Sequence, residues 1–199
     1  EAGGTFNSVR ALHRLGIKVG WACDFGDDLF SQFVLSEVKK EGVDTSLFRL
    51  HDRPVRVFSL AFSYVNDRGF ISYIDRLPPV DRVPYLRRYR PRAVLTNALE
   101  TDEAGMALAQ AAHEMGTLVF LGTQGTNTTL QTPGAVPMLR AVDVLLLNVS
   151  EALHVTGEAD RDAAGRALAQ LTPLVVLKSG ADGAYAYTQD SILHAPAIE

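Results

Sequence analysis

The chain has 199 residues, a formal net charge of −4, 47% hydrophobic residues and 21% charged residues. That is an ordinary globular mix, long enough to bury a core, and it excludes disorder, collagen-like repeats and coiled coil. Mild acidity argues against nucleic acid or an anionic membrane as the main partner, and no apolar run approaches the ~20 residues of a membrane-crossing helix.

Segment 5–15 reads as a helix, with Thr5 or Asn7 as N-cap, Val9, Leu12 and Leu15 on one side and Gly16 as the stop. Ile17–Cys23 is apolar enough for a strand, and 24–28 reads as a polar turn. Cys23, the sole cysteine, permits no internal disulfide and fits a reducing cytoplasm, the expected location. Segment 27–41 repeats apolar residues at Phe30, Val34 and Val38, which is helical spacing, and Gly42 ends it. From 55 to 75 the period changes to two. Phe58, Leu60, Phe62 and Tyr64 alternate with smaller residues, Asn66-Asp67-Arg68-Gly69 is turn chemistry, and Phe70–Asp75 returns as a second strand.

After Pro91 strands and helices alternate. Ala93–Thr96 is a short strand, and Thr101 caps a helix carrying Ala104, Leu108, Ala112 and Met115. Leu118–Leu121 is a strand, 122–134 a loop, and Val142–Leu147 a continuous apolar strand of the kind buried on both faces. Ser150–Val155 and Ala159–Leu171 read as helices, Leu174–Leu177 and Gly183–Tyr187 as strands. This order predicts an α/β fold with a mostly parallel sheet covered by helices.

In such sheets ligands bind outside the carboxyl ends of the strands. Gly3, Gly4 and Asn7 stand at a helix start, where glycine lets backbone approach a ligand and free N–H groups are on offer; a plain cap explains them as well. Asn148 and Glu151 follow the apolar strand. Their spacing suits a phosphate contact and a carboxylate holding a Mg²⁺-bound water, and equally suits a capping box. Lys178, Gly180 and Gly183 follow the next strand and suit a nucleotide phosphate or a tight turn. The apolar face of the hairpin suits closure over a ligand or pairing with another subunit. The five histidines show no zinc-site spacing, and G-x-x-x-x-G-K-[ST], G-x-S-x-G and G-x-G-x-x-G are absent.

Taken in order, Ala2-Gly3-Gly4-Thr5-Phe6-Asn7-Ser8-Val9, Leu12–Gly16, Phe25-Gly26-Asp27-Asp28, Glu41–Asp44, Asn148–Glu151 and Leu177–Ala184 resemble the PfkB, or ribokinase-like, carbohydrate kinases. The resemblance implies a three-layer α/β sandwich with a small β lid, residues 1–199 forming one incomplete domain with 52–77 as the lid. It implies ATP and Mg²⁺ and a sugar or nucleoside acceptor; separately, a hairpin exposed on both faces is marginal by itself, which suits a homodimer through the lid. Gly3, Gly4, Asn7, Tyr73 and Arg76 would bind the acceptor. Asn148, Glu151, Lys178, Gly180 and Gly183 would bind ATP and its phosphates, with Glu151 reaching Mg²⁺ through water. An arginine at 76 would suit an acidic sugar.

Three departures bear on this reading. The family's G-A-G-D sequence, whose glycine amides hold the phosphate and whose Asp is the general base, is absent. The first strand, which usually carries an acceptor-binding Asp, is missing before Glu1. Gly122-Thr123-Gln124 stands where the family often has Asp or Asn. The chain therefore reads as a fragment lacking both ends and inactive by itself. One rival is a non-catalytic relative that binds a sugar or nucleotide. Another is an unrelated nucleotide-binding α/β domain, favoured if the hairpin joins the main sheet.

Overall fold

The computed structural model describes residues 2–64, 68–123 and 127–198. Asn66 and Asp67 of the expected turn, Gln124 and both terminal residues lie outside them. The chain divides into two compact units, Glu1–Pro79 and Val80–Glu199.

The first unit contains α1 (Thr5–Arg14), β1 (Cys23–Phe25), α2 (Leu29–Glu41), β2 (Phe48–Leu50), β3 (Val57–Ser63) and β4 (Arg68–Ile74). Helix α1 buries Phe6 and Val9, and its N-cap is Gly4 rather than Thr5 or Asn7. The Asn7 N–H donates to the Gly4 carbonyl at 3.1 Å, so the first turn closes one residue earlier than the polar side chains suggest. The strand expected over 17–23 is confined to Cys23–Phe25, where β2 supplies a parallel partner in the register Cys23↔Phe48. Asp24, expected in a turn, sits inside that strand. Arg49 binds its two oxygens at 2.7 Å each and His51 Nε2 lies 2.7 Å from Oδ1, which offsets placing a carboxylate in the ladder.

Aromatic packing makes this unit's core. Phe6 stacks on Trp21 at 5.8 Å, and Phe48 meets the edge of Trp21 at 5.3 Å and Phe25 at 4.8 Å. Strands β3 and β4 pair antiparallel from Val57↔Ile74 to Ser63↔Arg68 and form a sheet of their own. The feature that would have favoured an unrelated nucleotide-binding domain is therefore not found.

The second unit contains α3 (Val83–Tyr89), β5 (Ala93–Thr96), α4 (Glu103–Glu114), β6 (Leu118–Gly122), α5 (Ala135–Arg140), β7 (Val144–Asn148), α6 (Val149–Thr156), α7 (Arg161–Ala169), β8 (Leu174–Lys178), β9 (Ala184–Tyr187) and β10 (Ile192–Ala195). Its six strands run in the order β10-β9-β8-β7-β6-β5. Strands β5 to β8 are parallel, and β9 and β10 are antiparallel additions. The rule that βαβ crossovers lay helices on a parallel sheet explains α4, α6 and α7. One sheet face carries Val119, Leu121, Leu145, Leu147, Val175, Leu177 and Tyr187, all at most 1% exposed. The opposite face is half-buried through Phe120, Val144, Leu146 and Val176.

Helix α4 is capped by Asp102, whose carboxylate accepts from Gly105 N–H at 2.9 Å, and not by Thr101. Thr101 instead lies against Gly134, where a Cβ would meet its carbonyl oxygen at 2.3 Å. Helices α3 and α5 and strands β2 and β10 were not expected. Each is at most seven residues long and too short to show a period.

Candidate functional site

Two strand ends build the clearest polar edge. Strands β7 and β8 pair residue for residue up to Asn148↔Lys178, so these two end side by side at the carboxyl edge of the sheet. Asn148 is the N-cap of α6. Its Oδ1 accepts from Glu151 N–H at 2.7 Å, and Glu151 Oε2 accepts from Asn148 N–H at 2.9 Å. The N-x-x-E spacing is thus a closed capping box. It holds the Glu151 carboxylate at the start of α6, where the helix dipole favours negative charge. Lys178 is exposed at the end of β8.

Beyond Lys178 the chain makes a tight 3-10 turn, Gly180–Asp182, closed by Ser179 N–H donating to Gly183 O at 2.7 Å. Gly180 has φ 57 with open space where a Cβ would stand. Gly183 has φ 89, and a Cβ there would meet Ala195 O at 2.1 Å and Ala197 N at 2.6 Å. Gly183 therefore lets the 195–197 segment close over the turn, whereas Gly180 keeps its backbone open.

At the end of β5 and just after β6 stand two hydroxyls, of which the sequence pointed to Thr123 only as a departure from the expected Asp or Asn and to Thr96 not at all. Thr96 Oγ1 and Thr123 Oγ1 are buried with no hydrogen-bond partner among the described residues. Thr123 occupies the position after β6 where the reading looked for Asp or Asn. No pattern distinguishes such threonines from ordinary strand threonines.

In the first unit the acceptor candidates lie on two separate pieces. Gly3, Gly4 and Asn7 are exposed at the start of α1. Gly4 has φ 60, and Asn7 Oδ1 accepts from Arg10 at 3.2 Å. Tyr73 is on β4 and Arg76 is exposed just beyond it. The Tyr73 ring stacks on Phe58 at 5.5 Å, and its hydroxyl donates to Asp75 Oδ1 at 3.0 Å. Tyr73 is thus part of the hairpin's own packing.

Carboxylates below the hairpin are held ionised. Partial burial pushes Asp28 up, but N–H groups of Ser31, Val55 and Phe30 outweigh it and leave the pKa lowered. The Arg56 backbone N–H and guanidinium lower that of Asp75. Burial raises the pKa of Asp24, and Arg49 and His51 more than reverse that. Cys23 is pushed up to about 11, chiefly by burial, so the thiol stays protonated and inert at neutral pH.

The second unit carries a mostly parallel sheet with a glycine turn and a capped carboxylate at one edge, and the first unit carries a separate β ribbon, which together define an α/β protein. Comparison with known sequences makes this specific. The profile of pfkB family carbohydrate kinases matches residues 1–72 and 93–199, and the chain belongs to that family. It is 25% identical over 210 residues to a 5-dehydro-2-deoxygluconokinase of Clostridium perfringens, covering 94% of this chain and 62% of that protein. Over 45 residues, 23% of this chain and 14% of the relative, it is 47% identical to a 2-dehydro-3-deoxygluconokinase of Bacillus subtilis. The chain thus spans less than two thirds of the length of the first relative.

Among solved structures, Arabidopsis thaliana ribokinase complexed with ribose and ATP superposes with a TM-score of 0.76 at 18% identity, covering 98% of this chain and 67% of that one. Adenosine kinase from Sinorhizobium meliloti gives 0.78 at 16% identity, covering 100% and 64%. These likenesses establish the ribokinase-like fold with its mostly parallel sheet, as expected from the sequence.

Proposed function

We propose that the protein acts as a carbohydrate kinase, transferring the terminal phosphoryl group of ATP to a hydroxyl of a sugar or sugar-like acid. The observation that carries this is the pfkB match over residues 1–72 and 93–199, which takes in the Asn148–Lys178 edge. Lys178 supplies a cation to a nucleotide phosphate, and the open backbone at Gly180 lets that phosphate approach. Gly183 shapes the same turn. Asn148 fixes Glu151 through the capping box and faces the phosphates itself.

Among the described residues no group of three His, Cys, Asp or Glu side chains stands ready to cage a metal. A lone capped carboxylate suits Mg²⁺, which keeps several waters and takes its remaining ligands from substrate phosphates. Glu151 would hold such a water. Bound Mg²⁺ would neutralise charge on the transferring group, so the residues of this chain contribute positioning rather than covalent chemistry.

The acceptor is assigned to Gly3, Gly4 and Asn7, with Tyr73 and Arg76 on the ribbon side and residues 52–77 as lid. The names of the relatives and the arginine at 76 favour a keto-deoxy sugar acid. The lid is assigned to pair with that of a second copy, because Leu60, Phe62, Phe70 and Ile71 are each at least 43% exposed. The cytoplasm, where ATP is abundant and thiols stay reduced, is the proposed location.

The 199 residues contain no G-A-G-D sequence, and this polypeptide by itself is expected to bind without turnover. The test is calorimetric titration of Mg-AMP-PNP, then of 2-dehydro-3-deoxygluconate, ribose, fructose and adenosine, beside an ADP-release assay. Nucleotide and one acceptor binding without sustained ADP release is the expected result. Failure of every ligand to bind would refute the kinase reading, and strong acceptor-dependent ADP release would refute the expectation of inactivity.

A further inference from the structure

The first strand of the ribbon is tethered through two consecutive backbone N–H groups, each held by a different carboxylate. Val55 N–H donates to Asp28 Oδ2 at 2.9 Å, and Arg56 N–H donates to Asp75 Oδ2 at 2.8 Å. Asp28 also caps α2, its Oδ1 accepting from Phe30 N–H at 3.0 Å and Ser31 N–H at 3.1 Å. One carboxylate thus joins the start of a helix to the root of the ribbon. Ser31, 4% exposed, reinforces the joint: its hydroxyl lies 2.9 Å from Asp28 Oδ2 and 3.1 Å from Val55 O, and accepts from Gly26 N–H at 2.9 Å.

The fit is close. A Cβ on Gly26 would stand 2.4 Å from both Arg53 O and Val55 N, so no larger residue lets these two segments meet. Aromatic stacking continues the clamp outward. Phe30 of α2 stacks on Phe58 of β3 at 4.5 Å, Phe58 stacks on Tyr73 of β4, and the Tyr73 hydroxyl returns to Asp75. Beyond this root the ribbon has little to fix its direction. Val57, Leu60, Ile71 and Ile74 are all more than half exposed, and a two-stranded ribbon without a packed face is marginal by itself.

We infer that Asp28 is the positioning residue of the lid, coupling it to α2 through Val55, with Asp75 as its counterpart on the returning strand. This rests on reading the ribbon as a lid. Asp28→Asn is a selective probe. Asparagine caps helices about as well as aspartate, so its Oδ1 keeps α2. Its Nδ2 then faces the Val55 N–H, donor against donor, and the tether is lost. Asp75→Ala breaks the second tether without touching the helix cap.

The measurement is the distance distribution between spin labels on Lys39→Cys and Ala61→Cys in a Cys23→Ser background, with amide exchange followed in parallel. Asp28→Asn is expected to widen the distribution at least twofold and to speed exchange in 57–63 and 68–74 by tenfold or more. Exchange in 29–41 and 174–178 stays unchanged. Asp75→Ala should widen the distribution in the same direction. An unchanged distribution in both variants overturns the inference, and so does faster exchange spread equally over α2 and the ribbon, which marks a merely structural role. Neither readout needs a ligand, so failure of the kinase reading in the titrations would be seen separately.

Discussion

Asn148 stands directly opposite Lys178 in the β7–β8 ladder, so a neutral amide committed to a helix cap sits beside an exposed cation. Both are proposed to face the phosphates, but only Asn148 also holds a helix cap, so stability separates them by mutation. Lys178→Met is expected to weaken Mg-AMP-PNP binding about tenfold or more, the worth of one charge-assisted contact, with the melting temperature unchanged. Asn148→Ala removes a cap and should lower stability by about 1 kcal/mol. Titration calorimetry and thermal melts on the two variants check both.

The glycines of the 180–183 turn should differ sharply. Gly180→Ala meets only its positive φ, with open space around the new methyl, and should cost about 1 kcal/mol. Gly183→Ala drives a Cβ into the backbone of Ala195 and Ala197. Strand β10 is expected to detach or the protein to fail to fold. Denaturant melts of the first variant and soluble yield of the second are the measurements.

Acid should loosen the first unit. Asp24, Asp28 and Asp75 all have folded pKa values below their unfolded ones. Folding therefore gains from their ionisation above the ordinary carboxylate range, and that gain is lost as pH falls through the lowered values. Asp24→Asn should flatten the acid limb of stability below about pH 4. Urea melts between pH 3 and 7 on both proteins test it.

Alkali acts on the second unit through Tyr187. Its ring is fully buried over Gly165, where a Cβ would come within 2.6 Å of it, and its hydroxyl donates to Asp162 at 2.6 Å. Burial first, then Asp162, pushes its pKa up to about 12. A raised folded pKa means stability present below the unfolded value of about 10 and lost as pH rises toward 12. Tyr187→Phe should be less stable at neutral pH and show a shallower alkaline loss, measured by melts from pH 7 to 11.

If the ribbon pairs with a second copy, a charge placed on it should block assembly. Leu60→Glu is expected to yield a monomer in sedimentation equilibrium where the parent sediments as a dimer. Helix content by circular dichroism should not change, because Leu60 is 56% exposed.

Much of this protein was legible along the chain. The period-two run of 55–75 became the β3–β4 ribbon, because alternation is a local property of a strand and needs no partner elsewhere to be seen. The apolar run before Asn148 became an inner strand of the parallel sheet, fully buried on one face and half-buried rather than buried on the other. The order of short motifs from Gly3 to Gly183 sufficed to point to the pfkB family. Asn148–Glu151 stood equally for a cap and a site, and the fold shows the cap formed and placed at the sheet edge.

Other features depend on residues far apart in sequence. Asp24 belongs to a strand because Arg49 and His51 arrive beside it. Asp28 tethers the ribbon because Gly26 lets Val55 come close, and Gly183 is required because Ala195 passes over it. The hydroxyls of Thr96 and Thr123 stood out only once buried with no hydrogen-bond partner among the described residues. Periodicity and turn chemistry are written into neighbouring residues, so the sequence by itself determined most of the longer elements, their order and the family. Close approach, pairing and burial arise between segments tens of residues apart, so only the tertiary structure decided which polar groups hold the fold.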